Sequence, residues 1–329
     1  MKVVVMYGDV PEGAPPDEQD GLVEVEAVSA ALAGLGYEPV PLAVTLDLKK
    51  AAGALSEVKP GFVFNLVESL EGKGRFIHLA PALLDHLNIP YTGAPTEALF
   101  MTSNKLVSKN TLRATGIPTP DWVAPRDTSG SGAPLAGRYI IKSVWEHASI
   151  GIDDGSVISP VSRNALMAAL RIRGERLGGE VFAESFVEGR EFNLSVMEGD
   201  GGPEVFPPAE ILFVDYPEDR PSIVDYKAKW VEGSFEYENT PRTFDFPECD
   251  GPLLSLLKET ALECWRAFGV RGYARVDFRV DMSGRPWVLE VNANPCITPY
   301  SGFMAAMERG GLTYSQAVGR LVLTMWARV

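Results

Sequence analysis

The sequence predicts a protein of mixed α/β and α+β class, made of two or three lobes, with a doubly wound parallel sheet at its start. Three observations predict it. Short apolar runs alternate with amphipathic stretches over the first ninety or so residues, the order expected of βαβ units. A strand that alternates strictly from Arg275 to Asp281 opens a charged hairpin within Tyr273 to Pro299 and has the period of a half-buried strand. The chain has 329 residues, 46% hydrophobic and 22% charged, which is enough apolar material for more than one compact core.

In chain order, residues 2–7 read as a buried parallel strand, 8–21 as a Gly/Pro/acid loop, and 22–35 as a helix that stops at Gly36. A strand near 38–42, a helix near 46–58 and a strand at 61–66 continue the alternation. The loop that follows, 67–74, leaves the carboxyl end of the sheet, where ligands bind in such folds. Residues 8–13 lack the GxGxxG spacing, so no dinucleotide fold is predicted. Helices are expected over 75–87, 96–101 and 103–114, and Thr115-Gly116-Ile117-Pro118-Thr119-Pro120 breaks the chain. Gly130 to Gly132 is linker-like. A strand at 139–142 runs into a loop over 143–155, followed by a helix near 162–177 and a strand at 180–187. Residues 211–222 read as a polar loop, 250–268 as a long amphipathic helix, and 302–309 and 314–327 as closing helices whose apolar positions are core.

A net charge of −14 argues against nucleic acid or an anionic membrane as a partner, because both need a basic surface. No apolar stretch has transmembrane length, and the first six residues are too short for a signal segment, so a cytoplasmic location is expected. Cys249, Cys264 and Cys296 are odd in number and lack a CxxC, which suggests neither a disulfide framework nor a zinc site.

In the hairpin, Arg275, Asp277, Arg279 and Asp281 share one side, and Val276, Phe278 and Val280 the other. Met282-Ser283-Gly284 supplies the turn, and Glu290 and Asn292 share parity on the returning strand. With the charged faces together, Asp277, Glu290 and Asn292 converge beside Arg275. Such hard oxygen ligands suit Mg²⁺ with phosphate and water completing its shell. An alternating Arg/Asp strand equally fits a surface ladder of cross-strand ion pairs. The residues alone leave both open.

The run RVDFRVD, a hairpin and then LEVNANP resembles the metal-binding end of the ATP-grasp ligases, and within them the D-alanine-D-alanine ligase group. FNLVESLEGKGR through NIPYTG resembles the N-terminal lobe of the same group. The resemblance implies a three-lobed ATP-grasp architecture: a preATP-grasp domain over 1–95, a central lobe with phosphate loop and adenine hinge over 96–187, and a C-terminal lobe with the Mg²⁺ and substrate site over 188–329. It implies an ATP- and Mg²⁺-dependent carboxylate-amine ligase that works through an acyl phosphate and joins D-alanine or another small amino acid. Two Mg²⁺, with Mn²⁺ as a substitute, would sit on Asp277, Glu290 and Asn292, and Arg275 would face the reacting phosphoryl group. By the same resemblance Lys105, Lys142 and Lys229 contact phosphate, and Ser149 and Gly151 belong to the loop that folds over the triphosphate. Glu184 meets the adenine side, backbone at Phe186 and Val187 reads the adenine edge, and Glu191 takes the ribose hydroxyls. Without it, Lys105 would read as solvated helix surface, Lys142 as a snorkelling strand end and His147 as a polar loop residue.

The sequence departs from the family around the amino acids. Trp230 stands where a Tyr hydroxyl is common, and an indole only donates. Cys296 replaces a usual Gly; its backbone N–H keeps an oxyanion role open, while a nucleophilic thiol has no activating base visible in the sequence. Ser301 matches a serine that holds the second substrate's carboxylate, with Tyr300 beside it. The family's Ser-x-Glu-x-x-Val-Ser first loop is not reproduced, which leaves Glu18 and Glu24, together with Glu68, as substrate candidates. A nucleotide-binding regulator without turnover and a different ATP-grasp chemistry are the other classes. The partners expected are ATP and an amino acid; relatives are commonly dimers, so a homodimer is expected although no interface can be named.

Overall fold

Val3 to Met6 are buried on both faces, as crossover helices on a parallel sheet require. They form the centre of β1 (Lys2–Gly8), flanked by β2 (Glu38–Val44) and β3 (Phe62–Asn65) in the parallel order β2-β1-β3. The computed structural model describes residues 1–125 and 137–326. Helices α1 (Pro16–Gly34), α2 (Leu48–Val58) and α3 (Leu79–Leu87) cover this sheet. α1 starts six residues before the expected 22. Pro16 at its start and Asp17 and Glu18 in its first turn are helix-opening signals, set within a stretch of loop-like composition. One consequence matters for the site: Asp17, Asp20 and Glu24 recur at i, i+3 and i+7, on one helix face.

The helix expected over 75–87 is also corrected. A single 3₁₀ turn at Gly74–Phe76 precedes α3, and at Gly74 a Cβ would lie only 2.8 Å from the Trp145 carbonyl oxygen. Next come α4 (Thr96–Ser103) and α5 (Lys105–Ala114). The Asn104 side chain caps α5 by accepting from the amides of Leu106 and Val107, both at 3.0 Å.

The second sheet comprises β4 (Trp122–Val123), β5 (Tyr139–Ser143), β6 (Val157–Ile158) and β7 (Val181–Ser185) in the order β4-β7-β5-β6, backed by α6 (Arg163–Leu177). The linker-like Gly130 to Gly132 lies outside the described residues, as does the expected helix end at Ala327. The third sheet is built on β8 (Gly189–Gly199), with β9 (Gly202–Val205), β10 (Ala209–Ile211), β11 (Arg242–Thr243), β12 (Tyr273–Asp281) and β13 (Pro286–Asn292) in the order β11-β10-β8-β12-β13, β9 pairing β8. β8 alternates Glu191, Asn193 and Ser195 with buried Phe192, Leu194 and Val196, the same period that marks β12.

Two short helices, α7 (Tyr226–Trp230) and α8 (Phe235–Glu238), follow β10, and α9 (Gly251–Ala267), α10 (Gly302–Arg309) and α11 (Tyr314–Trp326) complete the chain. Val3, Leu32 and Phe62 share one core with Phe303, Met304 and Leu321. The N-terminal sheet is therefore braced by the C-terminal helices. No helix among the described residues is long and apolar enough to cross a membrane.

Candidate active site

β12 and β13 pair so that Arg275 faces Asn292 and Asp277 faces Glu290, with a bulge just after Asp277. The expected parity holds. On the other edge of β12, β8 sets Asn193 opposite Asp277 and Glu191 opposite Arg279. Arg275 grips Asp277 at two points, Nε to Oδ1 at 2.7 Å and Nη2 to Oδ2 at 2.8 Å, and Asn193 Nδ2 donates to the same Oδ1 at 2.8 Å. Glu290 Oε1 takes His147 Nδ1 at 2.5 Å and lies 3.5 Å from Lys105 Nζ. Burial would raise the Glu290 carboxyl, but Lys105, His147 and Lys229 outweigh it and hold it well below the usual carboxylate range. Asn292 Oδ1 accepts from the Asn294 amide at 2.9 Å.

Two carboxylates and an amide oxygen on adjacent rungs fit a divalent cation of the Mg²⁺ kind. A buried polar atom without a partner, His147 Nε2, lies beside them. A cross-strand ion pair is present as well, Arg279 on β12 with Glu191 on β8, whereas Arg275 and Asp277 pair within one strand.

A cleft of ≈ 830 Å³, open to solvent, runs from this face between the second and third sheets. Lys105, Lys142, Lys229 and Arg279 line it. Lys105 Nζ donates to the Glu146 carbonyl at 2.6 Å. Burial, with Arg275 next, pushes the Lys229 ammonium down. Glu191 Oε2 is 2.7 Å from Arg279 Nη2.

The adenine expectation changes here. Glu184 is 1% exposed, one oxygen 2.6 Å from Lys142 Nζ and the other on Lys109. Burial would raise its carboxyl, yet the two lysines hold it below the usual range, and burial in turn pushes the Lys109 ammonium down to about 8. A carboxylate so engaged braces the strand from within the lining of the cleft. The amides of Ser185 and Phe186 donate to the Asp121 and Arg138 carbonyls at 2.8 and 2.9 Å, which narrows the expected backbone edge towards Val187.

The loop over the cleft is fastened to α7. Ser149 Oγ donates to the Val224 carbonyl at 2.7 Å, Trp230 Nε1 to the Ala148 carbonyl at 3.0 Å, and Arg173 to the Gly151 carbonyl at 3.0 Å. Ala148 and Ser149 hold φ of +56° and +62°, a conformation non-glycine residues rarely adopt. Trp230, expected over the substrate, lines neither cleft and serves as a strut between the two segments. The hydroxyl that reaches across is Tyr226 Oη, which donates to Asp17 at 2.6 Å.

A second cleft, ≈ 780 Å³, adjoins the first through Glu146, His147 and Ile150. Its walls carry six carboxylates, Asp9, Asp17, Glu18, Asp20, Glu68 and Glu146, and no lysine or arginine among the described residues. Glu68 opens into it while ringed by protein, and desolvation together with Asp20 raises its carboxyl to about 7. Glu24 lies behind, 2% exposed, accepting the Ile297 amide at 2.6 Å. Tyr300 Oη donates to Asp20 while the residue stays 63% exposed.

Ser301 Oγ accepts from the Met304 amide at 3.2 Å and caps α10, which leaves its O–H free to donate. Cys296 Sγ donates to Asp20 Oδ2 at 3.1 Å, and desolvation followed by Glu24, Glu68 and Asp20 pushes the thiol well above its usual value. It is a protonated side chain and not a nucleophile.

Lys109, Asn193 and His147 escape sequence reasoning. Lys109 lies one turn after Lys105 on the same helix face and Asn193 two residues after Glu191 on the same strand face, so periodicity holds a signal for both. His147 has none, because its partner is 143 residues away.

The D-ala D-ala ligase C-terminus family model matches residues 112–323. The chain belongs to this family. A D-alanine–D-alanine ligase of Aquifex aeolicus is 29% identical over 328 residues, covering 98% of this chain and 100% of that one. Protein y4sG of Sinorhizobium fredii, itself uncharacterised, is 28% identical over 303 residues, 90% of this chain and 85% of its own. The crystal structure of a D-alanine–D-alanine ligase from Bacillus anthracis complexed with ATP superposes with a TM-score of 0.75 at 22% identity, covering 100% and 98% of the two chains. The three-lobed ATP-grasp fold is thereby established. As a member of the D-ala D-ala ligase family, the chain is an ATP-dependent, ADP-forming ligase that makes peptide bonds and depends on a divalent metal.

Proposed function

We propose that this ligase activates an amino-acid carboxylate as an acyl phosphate and joins it to a second amine, with the lobes divided at 1–95, 96–187 and 188–329. The observation that carries this is the rung pairing Asp277 with Glu290 in the wall of the cationic cleft, which adjoins the acidic one at His147. Lys105, Lys142 and Lys229 offset the triphosphate charge, and Ser149 and Gly151 sit in the loop above it. Val187 and Glu191 hold the nucleoside, while Glu184 orders Lys142 beneath. Asp277, Glu290 and Asn292 hold two Mg²⁺, or Mn²⁺ in their place, which when bound neutralise phosphate charge. Arg275, fixed by Asp277, faces the phosphoryl group in transfer.

The substrate carboxylate oxygen takes the γ-phosphoryl group and ADP leaves. An amine nitrogen, having lost a proton, then attacks the acyl carbon, and phosphate departs with the bonding pair. The Cys296 backbone N–H faces the developing oxyanion, Glu68 and Glu24 face the ammonium side, and Tyr300 and Ser301 border the acceptor end. The protein acts in the cytoplasm, as a homodimer. The test is ADP release with Mg²⁺-ATP against a panel of amino acids, D-alanine first, with Glu290→Ala as the blank. Release that survives in Glu290→Ala would sink the metal assignment, and silence with every amine would favour a nucleotide-binding regulator.

A further inference from the structure

Four arginines stand on the strands of the third sheet, and three of them are paired. Arg190 on β8 holds Glu210 and Asp250, while on β12 Arg275 holds Asp277 and Arg279 holds Glu191. The side chain of the fourth, Arg242 on β11, has no ion-pair or hydrogen-bond partner among the described residues. Strand register fixes the side it occupies. Directly opposed residues of an antiparallel ladder share a face, and Arg279, Glu191, Ile211 and Arg242 form one such row across β12, β8, β10 and β11. Asp277 and Arg275, two and four residues before Arg279, lie on that face too. Arg242 therefore belongs to the side that carries the charged hairpin.

The chain also brings Arg242 to the start of α10. A Cβ at Gly302 would lie 3.5 Å from Arg242 Nη1 and 3.9 Å from its Cζ, so the guanidinium sits against the residue that follows Ser301. The Ser301 hydroxyl keeps its hydrogen for donation, and the opening amides of a helix have no partner within it. Arg242 is open to solvent yet ringed by protein, and desolvation, with Arg275 next, pushes its guanidinium down. Two like charges thus feel one another at this end of the sheet. Asp277 neutralises Arg275, and no acid does the same for Arg242.

We propose that Arg242 binds a second carboxylate on the acceptor, beside the one at Ser301, so that the acceptor is a dicarboxylic amino acid. This rests on the ligase function proposed above, in which Ser301 borders the acceptor end. The carboxylate common to all amino acids is served by the Ser301 hydroxyl and the opening amides of α10. A guanidinium fork with no acid of its own then remains, and it matches a further carboxylate at two points. The acceptor amine attacks the acyl carbon, while the distal carboxylate stays ionised against Arg242 and makes no bond.

The test compares aspartate with asparagine, and glutamate with glutamine, each of both hands, in ADP release by the full chain with Mg²⁺-ATP, alone and with D-alanine as donor. Each pair keeps its shape and differs in the distal charge. A charge-assisted contact gives the acids roughly 10- to 100-fold higher kcat/KM than their amides. Arg242→Gln brings that ratio towards one, and Arg242→Lys, which keeps the charge without the fork, restores part of it. Amides turned over as well as acids would overturn the second carboxylate and leave the ligase function standing. An equal rise in KM for acid and amide in Arg242→Gln would also overturn it, assigning Arg242 to the carboxylate that every amino acid carries; a rise in KM for ATP alone would overturn it in favour of phosphate. If no amino acid is turned over, the ligase function fails, and calorimetry of aspartate against asparagine still decides the seat: a preference lost in Arg242→Gln supports it, and equal binding overturns it.

Discussion

His147 Nδ1 lies 2.5 Å from Glu290 Oε1, tying the loop over the cationic cleft to the charged hairpin across 143 residues. Because Glu290 is held ionised, the facing nitrogen carries the hydrogen, and the ring orientation is set by that bond. Partners of this kind aim metal-binding carboxylates. His147→Ala is therefore expected to raise the Mg²⁺ concentration for half-maximal ADP release roughly 10-fold, in the range seen when outer-sphere partners are lost. An unchanged Mg²⁺ profile would remove His147 from the site.

The pair Lys109 and Glu184 is buried, each side chain 2% exposed. Lys109→Met leaves Glu184 with Lys142 alone and is expected to cost about 3–5 kcal/mol in chemical denaturation, the range for breaking a buried ion pair. Adding Glu184→Leu should recover most of the loss, since the stranded charge is then gone. If the single variant is as stable as the parent, the bracing role assigned to Glu184 is wrong.

Glu68 gives a pH dependence. Its carboxyl rises from 4.5 to about 7 in the folded chain, so the folded state binds the proton more tightly than the unfolded one. That stabilisation is complete below about pH 4.5 and is lost as pH rises through 7. Glu68→Gln should stabilise the protein at pH 8 by about 1 kcal/mol, a figure reduced for the solvent reaching this side chain, and leave it unchanged at pH 4. Denaturation midpoints at the two pH values check this; equal shifts at both would contradict it.

Cys296 gives a chemical test. With its thiol protonated, Cys296→Ser should lower ADP release less than about threefold, because no thiolate chemistry is removed. Iodoacetamide at pH 8 should label exposed Cys249 well before Cys296, read by peptide mass spectrometry. Rapid loss of activity with label on Cys296 would restore the nucleophile.

The hairpin is legible because alternation is a local property: the order of residues alone sets Asp277, Glu290 and Asn292 on one face, and β12 and β13 pair in that register. The lysines near phosphate and the acids of the nucleoside end are reached through family resemblance, since a lysine at a strand end has no distinctive local pattern. α1 carries its own start signals at Pro16, Asp17 and Glu18, but they compete with loop composition in a Gly/Pro/acid stretch.

Pairings between distant segments are a matter for tertiary structure. Glu184, expected beside adenine, is locked between Lys109 and Lys142, because burial of a carboxylate demands cations that only packing can supply. Trp230, expected over substrate, instead bonds Ala148, while Tyr226, four residues earlier and one helical turn away, reaches Asp17. Periodicity decides which side of an element a side chain occupies, and so the residues foretell the fold and the charged face of the hairpin. Which element meets that side is decided by chain closure over a hundred residues or more, and so the acidic cleft and its buried Glu24 exist only where α1 packs against the segment after Pro295.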